Sequence, residues 1–272
     1  MSGEDTFEFL QGQFTQNLTG LKDGEVRYGF FLTQKGRVLG DAFVLPQSEE
    51  SMLVVSWSMT AAALMERLDA YLIADDVELE DVTAGWEGWQ AAGPEVVRWA
   101  SEALDGNLRF WPEPAGIGGG SVRIIGTAEP SWPKAWSEAS DEIFEQVRIL
   151  SGVPRVSLDL GEGDFPQEAG QHGIGVSFNK GCYLGQEVMA RLAATGRLRR
   201  ELKAVEGDGS LPKATDSDLF QGERKVGELR SRCWRKDGGW AGLAMVKLTH
   251  FRPAEVFTLP NGDTARVSSP DP

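Results

Sequence analysis

Residues 180–187 read KGCYLGQE and continue as VMAR to Arg191. A thiol, Cys182, lies beside Lys180 and between Gly181 and Gly185, just ahead of a helical pattern. In that pattern Leu184, Val188 and Leu192 recur at helical spacing, with Gln186, Glu187 and Arg191 on the other faces. The spacing predicts a thiol at or just before a helix start. There, unpaired amide N–H groups and the positive end of the helix dipole favour an anion, and Lys180 adds a cation. The two glycines leave room for a ligand or a backbone to approach. These residues therefore predict a reactive or ligand-facing thiol. The competing reading is a small buried hydrophobe, a common fate of free cysteine. Cys233, in the strand-like run Arg232-Cys233-Trp234, takes that second reading.

Upstream, Glu4 to Leu10 reads as a short helix closed by Gly12. Val26 to Thr33 and Arg37 to Leu45 read as strands around the turn Gln34-Lys35-Gly36. Met52 to Trp57 repeats the strand pattern, and Thr60 to Leu72 reads as an amphipathic helix with Leu64, Leu68 and Tyr71 on one face. Val77 to Thr83 and Trp86 to Ala92 are expected strands. Pro94 opens a helix over Glu95 to Leu104, which predicts strands and helices alternating on one sheet. Residues 112–120, PEPAGIGGG, read as a loop; the triple glycine precedes a strand at Ser121 to Ile125, so it is no phosphate cradle. A helix from Ser140 carries Phe144 and Arg148 and stops at Gly152 ahead of Pro154.

Downstream of Thr195 the pattern changes to short strands with frequent turns: Arg200 to Val205, Asp218 to Gln221, Lys225 to Arg230, Trp240 to Lys247, Ala254 to Leu259 and Thr264 to Ser268. Six such strands predict a small β-barrel, with Asn261-Gly262 as a hairpin turn.

The 272 residues exceed the usual size of one core, so two or three parts are expected. The net charge of −14 hides an asymmetry: residues 1–180 carry 12 basic and 29 acidic side chains, and residues 181–272 carry 15 and 12. No run of eighteen apolar residues appears, and Met-Ser-Gly-Glu-Asp has neither a basic flank nor an apolar stretch. The expectation is a cytoplasmic protein with no membrane partner and both cysteines kept as thiols. Cys182, Cys233, His172 and His250 lack metal-ligand spacing, so no metal site is expected, and two cysteines are too few for a protein-held iron–sulfur cluster.

KGCYLGQE with Arg191 resembles the signature of the YgfZ-type folate-binding family, relatives of the glycine-cleavage T-protein that are linked to iron–sulfur enzyme maintenance and transfer-RNA modification. LQGQFTQNL at residues 10–18 resembles that family's N-terminal motif, with Asn17 where aspartate is common. TQKGRVLGDAFV at 33–44 resembles its hairpin, and RILSGVPRVSLDLGEGDFPQEAG at 148–170 the segment leading to the cysteine. The likeness spans residues 1 to about 200.

The resemblance implies an α+β, T-protein-like fold. Its α/β N-terminal part (1–110) and its middle part carrying the cysteine motif (111–198) would surround a central channel that takes tetrahydrofolate, followed by a C-terminal β-barrel (199–272). It implies Phe144 and Arg148 at the pterin, with Asp41 and Glu168 as polar contacts. Arg148 has a plainer alternative as a surface partner of Glu145. Cys182 is assigned the reactive or transient-ligand role, Lys180 the charge favouring thiolate, and Asp41 a base or folate-positioning role. Gly181, Tyr183, Gly185, Gln186, Glu187 and Arg191 complete the motif. Gln186 and Glu187 are expected to order the loop or cap the helix, and Arg191 to pair with Glu187.

Three functions compete. The first is a tetrahydrofolate-binding accessory factor for iron–sulfur client proteins, including enzymes that modify transfer RNA, with its enzymatic status open. The second is a folate-dependent aminomethyltransferase of the T-protein type using Asp41, although Gly40-Asp41 replaces the paired acids common there. The third is a binding module whose basic run of Arg191, Arg197, Arg199, Arg200 and Lys203 makes weak, salt-sensitive contact with transfer RNA. That run contains no interleaved aromatic residues.

Overall fold

The computed structural model describes residues 1–104, 108–113, 116–253 and 256–268. Helix α1 (Thr6–Gln13) runs through Gly12, where the sequence predicted a stop, and ends as Phe14 turns extended. Strands β1 (Arg27–Leu32), β2 (Val38–Ser48) and β3 (Ser51–Val55) form an antiparallel sheet in the order β1-β2-β3. Helix α2 (Ala61–Asp69) is capped by Thr60, whose hydroxyl accepts from Ala63 N at 3.2 Å and so satisfies one of the first-turn amides. Phe9, Leu10, Phe14, Phe31, Val44, Leu64 and Leu68 pack between these helices and the sheet. Each such side chain contributes about 1.5–3 kcal/mol by leaving water.

The predicted strand over Val77 to Thr83 does not form. Val77 and Leu79 pack on the first core, and Glu78 makes a single bridge to Ser2, so the segment has no neighbour along its length. The expected single alternating sheet is also replaced. A second antiparallel sheet, ordered β4-β6-β5, is built from β4 (Glu87–Ala92), β5 (Leu108–Pro112) and β6 (Ser121–Gly126). Helix α3 (Val96–Ala103) lays Val96 and Ala100 against Val122 and Ile124 of the central strand β6. Strand β5 was not read from the sequence, and it contains residue 110, where the sequence reading divided the chain. Residues 114 and 115 of the expected loop lie outside the described residues.

Helix α4 (Asp141–Leu150) starts at the Ser140 cap and is followed by α5 (His172–Gly175) and α6 (Gln186–Thr195). The remaining strands are β7 (Arg200–Gly207), β8 (Asp218–Gln221), β9 (Arg224–Trp234), β10 (Trp240–Lys247), β11 (Phe257–Thr258) and β12 (Thr264–Val267). They close into a barrel in the order β10-β7-β12-β11-β8-β9, filled by Val205, Leu219, Val226, Trp240, Val246 and Phe257. Ala254 and Glu255, which the sequence reading put in the fifth barrel strand, lie outside the described residues. Among the described residues the closed barrel has no edge strand.

Buried carboxylates fasten the barrel to the preceding segment. Arg200 donates to both Glu168 oxygens at 3.0 and 2.7 Å and lies 3.1 Å from Asp164, while Ser231 Oγ donates to Asp159 at 2.5 Å. Glu168 also accepts from Phe165 N, which closes the turn before Ala169.

Candidate functional site: an aromatic-walled cavity and a cysteine loop

A cavity of about 1870 Å³ opens between the two three-stranded sheets and α4. That exceeds the roughly 300–1,000 Å³ usual for small-ligand pockets. Its wall includes Tyr28, Phe43, Trp57, Trp89, Trp132, Trp136 and Phe144. Phe43 lies 5.0 Å from the Tyr28 ring and 5.9 Å from that of Trp57, which is 46% exposed. These rings pack on one another at tilted and edge-on angles and give the cavity a broad aromatic wall.

Asp41 adds a carboxyl group to this wall. Its position follows from the hairpin register: Phe30 pairs with Asp41 and Tyr28 with Phe43, so strand alternation sets Tyr28 diagonally beside Asp41 on one face. Tyr28 OH donates to Asp41 Oδ2 at 3.0 Å, and Ser58 Oγ donates to Oδ1 at 2.5 Å. Burial raises the Asp41 carboxyl above its ordinary value, against the pull of the Ser58 and Tyr28 hydrogen bonds and the nearby Arg123 charge. Burial and the adjacent carboxylate likewise push the Tyr28 phenol well above 10.

Phe144 and Arg148 line the same cavity. Arg148 is, however, no surface residue: it is 3% exposed and its fork is fully engaged. It donates to Glu145 at 2.8 Å, to Asp159 at 2.8 Å and to the Val153 carbonyl at 2.5 Å. Burial acts against its charge, yet the Glu145 and Asp159 carboxylates hold it above its ordinary value. Glu168 is not on the cavity wall; its carboxylate is committed to Arg200 and to the Phe165 amide, which corrects its placement as a ligand contact. Tyr28, Trp57, Ser58 and Arg123 were not singled out from sequence. Arg123 packs over Trp57 at 4.4 Å and pairs with Glu113 at 2.7 Å. The hairpin register could have found Tyr28, whereas Ser58 carried no local signal.

The octapeptide forms a separate feature. Cys182 is exposed, and it is not among the described residues of the cavity wall. Helix α6 begins only at Gln186, so Cys182 lies on the loop leading to the helix and not at its first turn. Lys180 donates to three carbonyls, those of Gln11 at 2.6 Å, Phe14 at 2.7 Å and Gln16 at 3.0 Å. Those bonds direct its charge onto the end of α1, whereas the sequence reading gave that charge to the thiol. Burial lowers the Lys180 amine to about 8.

The loop is held by further bonds of the same kind. Leu184 N donates to Gly12 O at 3.0 Å, Ser177 N to Thr15 O at 3.0 Å, and Gln186 Oε1 accepts from Tyr183 N at 3.1 Å. Gly185 adopts φ +85°, and a Cβ there would lie 2.7 Å from the Thr33 carbonyl and 3.0 Å from Gly36 Cα. Thus the N-terminal motif, the hairpin turn and the cysteine motif, three stretches distant in sequence, meet at one place. Glu187 and Arg191, expected to pair, are both exposed and form no ion pair with each other. Cys233 is 9% exposed in β9, and burial pushes its thiol up.

Comparison with known proteins identifies the kinship. Residues 1–109 match the family model described as the GCVT N-terminal domain. The chain is 31% identical over 238 residues to an iron–sulfur cluster assembly factor IBA57 homolog, mitochondrial, of Cryptococcus neoformans, covering 75% of this chain and 62% of that one. It is 26% identical over 285 residues to the tRNA-modifying protein YgfZ of Sodalis glossinidius, covering 93% and 85%. The chain is similar to the YgfZ and IBA57 proteins, and over its first 109 residues to the family of the T-protein. It spans about three-fifths of the length of the fungal relative. The glycine cleavage system aminomethyltransferase T from Bartonella henselae shares the fold, with a TM-score of 0.75 at 14% identity over 99% of this chain and 81% of that one. Among the described residues no helix is long and apolar enough to cross a membrane.

Proposed function

We propose that this chain is a tetrahydrofolate-binding accessory factor for the maturation or repair of iron–sulfur enzymes, including those that modify transfer RNA, and that it presents Cys182 to its clients. The observation that carries the reading is the aromatic-walled cavity with the Asp41 carboxyl on its wall beside Tyr28 and Ser58. A pterin needs flat apolar faces and hydrogen-bond acceptors for its ring N–H groups, and Phe43, Trp57, Phe144 and Asp41 supply that chemistry. The cavity volume accommodates a folate with room to spare, so the residues present fit the group.

Tetrahydrofolate, when bound, supplies a carrier for a one-carbon unit. The chain's own residues would hold it against the aromatic wall, accept its N–H groups at Asp41, and keep Asp41 oriented through Tyr28 and Ser58. Cys182 stands apart on an exposed loop braced by Lys180, a placement suited to contact with another protein. The iron–sulfur and transfer-RNA assignments draw on the relatives, an iron–sulfur cluster assembly factor and a tRNA-modifying protein.

A folate-dependent aminomethyltransferase is the second reading, favoured by the position of Asp41 on the cavity wall and by the fold of the T-protein neighbour. Comparing Cys182→Ala with Asp41→Asn separates the two. The accessory reading predicts that Cys182→Ala binds folate normally yet fails to restore iron–sulfur enzyme activity in cells lacking the protein. Full restoration by that variant, with loss only on Asp41→Asn, favours the transferase.

A further inference from the structure

The charge on the cavity wall narrows the ligand class, an inference that rests on the folate reading above. A folate carries its glutamate tail outward, and cells extend that tail into a chain of γ-linked glutamates with one added carboxylate per residue. Free cations would be needed to receive such a chain. Among the described residues the wall holds three guanidinium groups, and each is already matched: Arg123 by Glu113 at 2.7 Å, Arg148 by Glu145 and Asp159 at 2.8 Å, and Arg155 by Glu145 at 2.7 Å.

The outer wall is acidic. Glu129, Glu138, Asp141 and Glu142 are exposed there, and among the described residues none of these four forms an ion pair. Glu129 accepts only a neutral bond, from Trp132 Nε1 at 2.9 Å. Part of the outer wall thus repels anions, and among the described residues every cation on the wall is already partnered; Lys134, within the 129–142 segment, is exposed and is not among the wall residues.

We propose that this cavity selects folates with a single glutamate over oligo-γ-glutamyl folates, with the 129–142 segment as the discriminating element. Every added tail carboxylate meets like charge across water, where repulsion is weak at each pair and falls with salt. Summed over several wall carboxylates, the expected penalty is roughly two- to threefold in affinity per added glutamate at low ionic strength.

The test is titration of the whole chain with tetrahydrofolate bearing one, three and five glutamates, followed by tryptophan fluorescence at low and high salt. Affinity should fall along the series at low salt, and the spread should shrink at high salt. Glu138→Gln with Glu142→Gln, both exposed and without ion-pair partners, should narrow the low-salt spread while leaving the one-glutamate affinity within about twofold. Equal or tighter binding of the five-glutamate form overturns the selection and leaves the folate reading intact. Absence of binding by every form overturns both.

Discussion

Gly185 and Gly181 flank the same thiol but sit in different surroundings, which makes them a paired test of how the cysteine loop is held. At Gly185 an alanine would have to adopt φ +85°, and its Cβ would meet the Thr33 carbonyl at 2.7 Å and Gly36 Cα at 3.0 Å. The left-handed backbone costs a non-glycine residue about 1–2 kcal/mol. Two close backbone contacts cannot be relieved by rotating a side chain, and overpacking of that kind costs about 1–3 kcal/mol more. Gly185→Ala should therefore destabilise the chain by about 2–5 kcal/mol in total. Gly181 meets nothing within 4 Å of an added Cβ and has no positive φ, so Gly181→Ala should stay within about 0.5 kcal/mol of the parent. Urea unfolding at equilibrium reads both differences. Equal effects at the two positions, or a loss below about 1 kcal/mol at Gly185, would refute the claim that the hairpin turn seats the cysteine loop.

The Asp41 carboxyl titrates above its ordinary value, so the folded chain holds that proton to higher pH than the unfolded one. The cost of burying its charge is present at neutral pH and is relieved as pH falls through the raised value. Folate affinity should move the other way, weakening as pH falls through that value. Asp41→Asn should lower affinity about 10- to 100-fold at neutral pH and flatten the pH dependence, as binding isotherms across pH would reveal. Glu168→Ala leaves Arg200 facing a smaller set of acceptors and should cost about 3–5 kcal/mol in a denaturant titration; a loss under about 1 kcal/mol would show that the clamp between segment and barrel contributes little. Cys182 should be alkylated faster than Cys233 near neutral pH, because only Cys233 is buried with its thiol pushed up. Mass spectrometry of the two peptides over time measures the ratio, and parity would contradict the accessibility difference.

Much of this architecture was readable before any coordinates. The barrel strands followed from turn residues at close spacing, and five of the six strands began within a residue of the predicted start. The β1–β2 hairpin was legible because Gln34-Lys35-Gly36 interrupts two apolar runs, and its register then fixes which side chains share a face with Asp41. The division into two sheets was not legible, since hydrophobic alternation says which residues pair with some strand but not with which one. Val77 to Thr83 has strand composition yet finds no partner strand. The role of Lys180 was also hidden. Sequence places it two residues from the thiol, but only the fold brings the carbonyls of Gln11, Phe14 and Gln16 to its ammonium. Glu168 likewise lies in a motif that points toward the cavity, while its carboxylate turns to Arg200 in the barrel.

The central claim is that the cavity is a folate site, and thermal unfolding with added tetrahydrofolate tests it most directly. A ligand that binds only the folded chain should stabilise it by about 2.7 kcal/mol at one hundred times its dissociation constant, raising Tm, and Asp41→Asn should need far more ligand for the same rise. An unchanged Tm at saturating tetrahydrofolate, in parent and variant alike, would contradict the account.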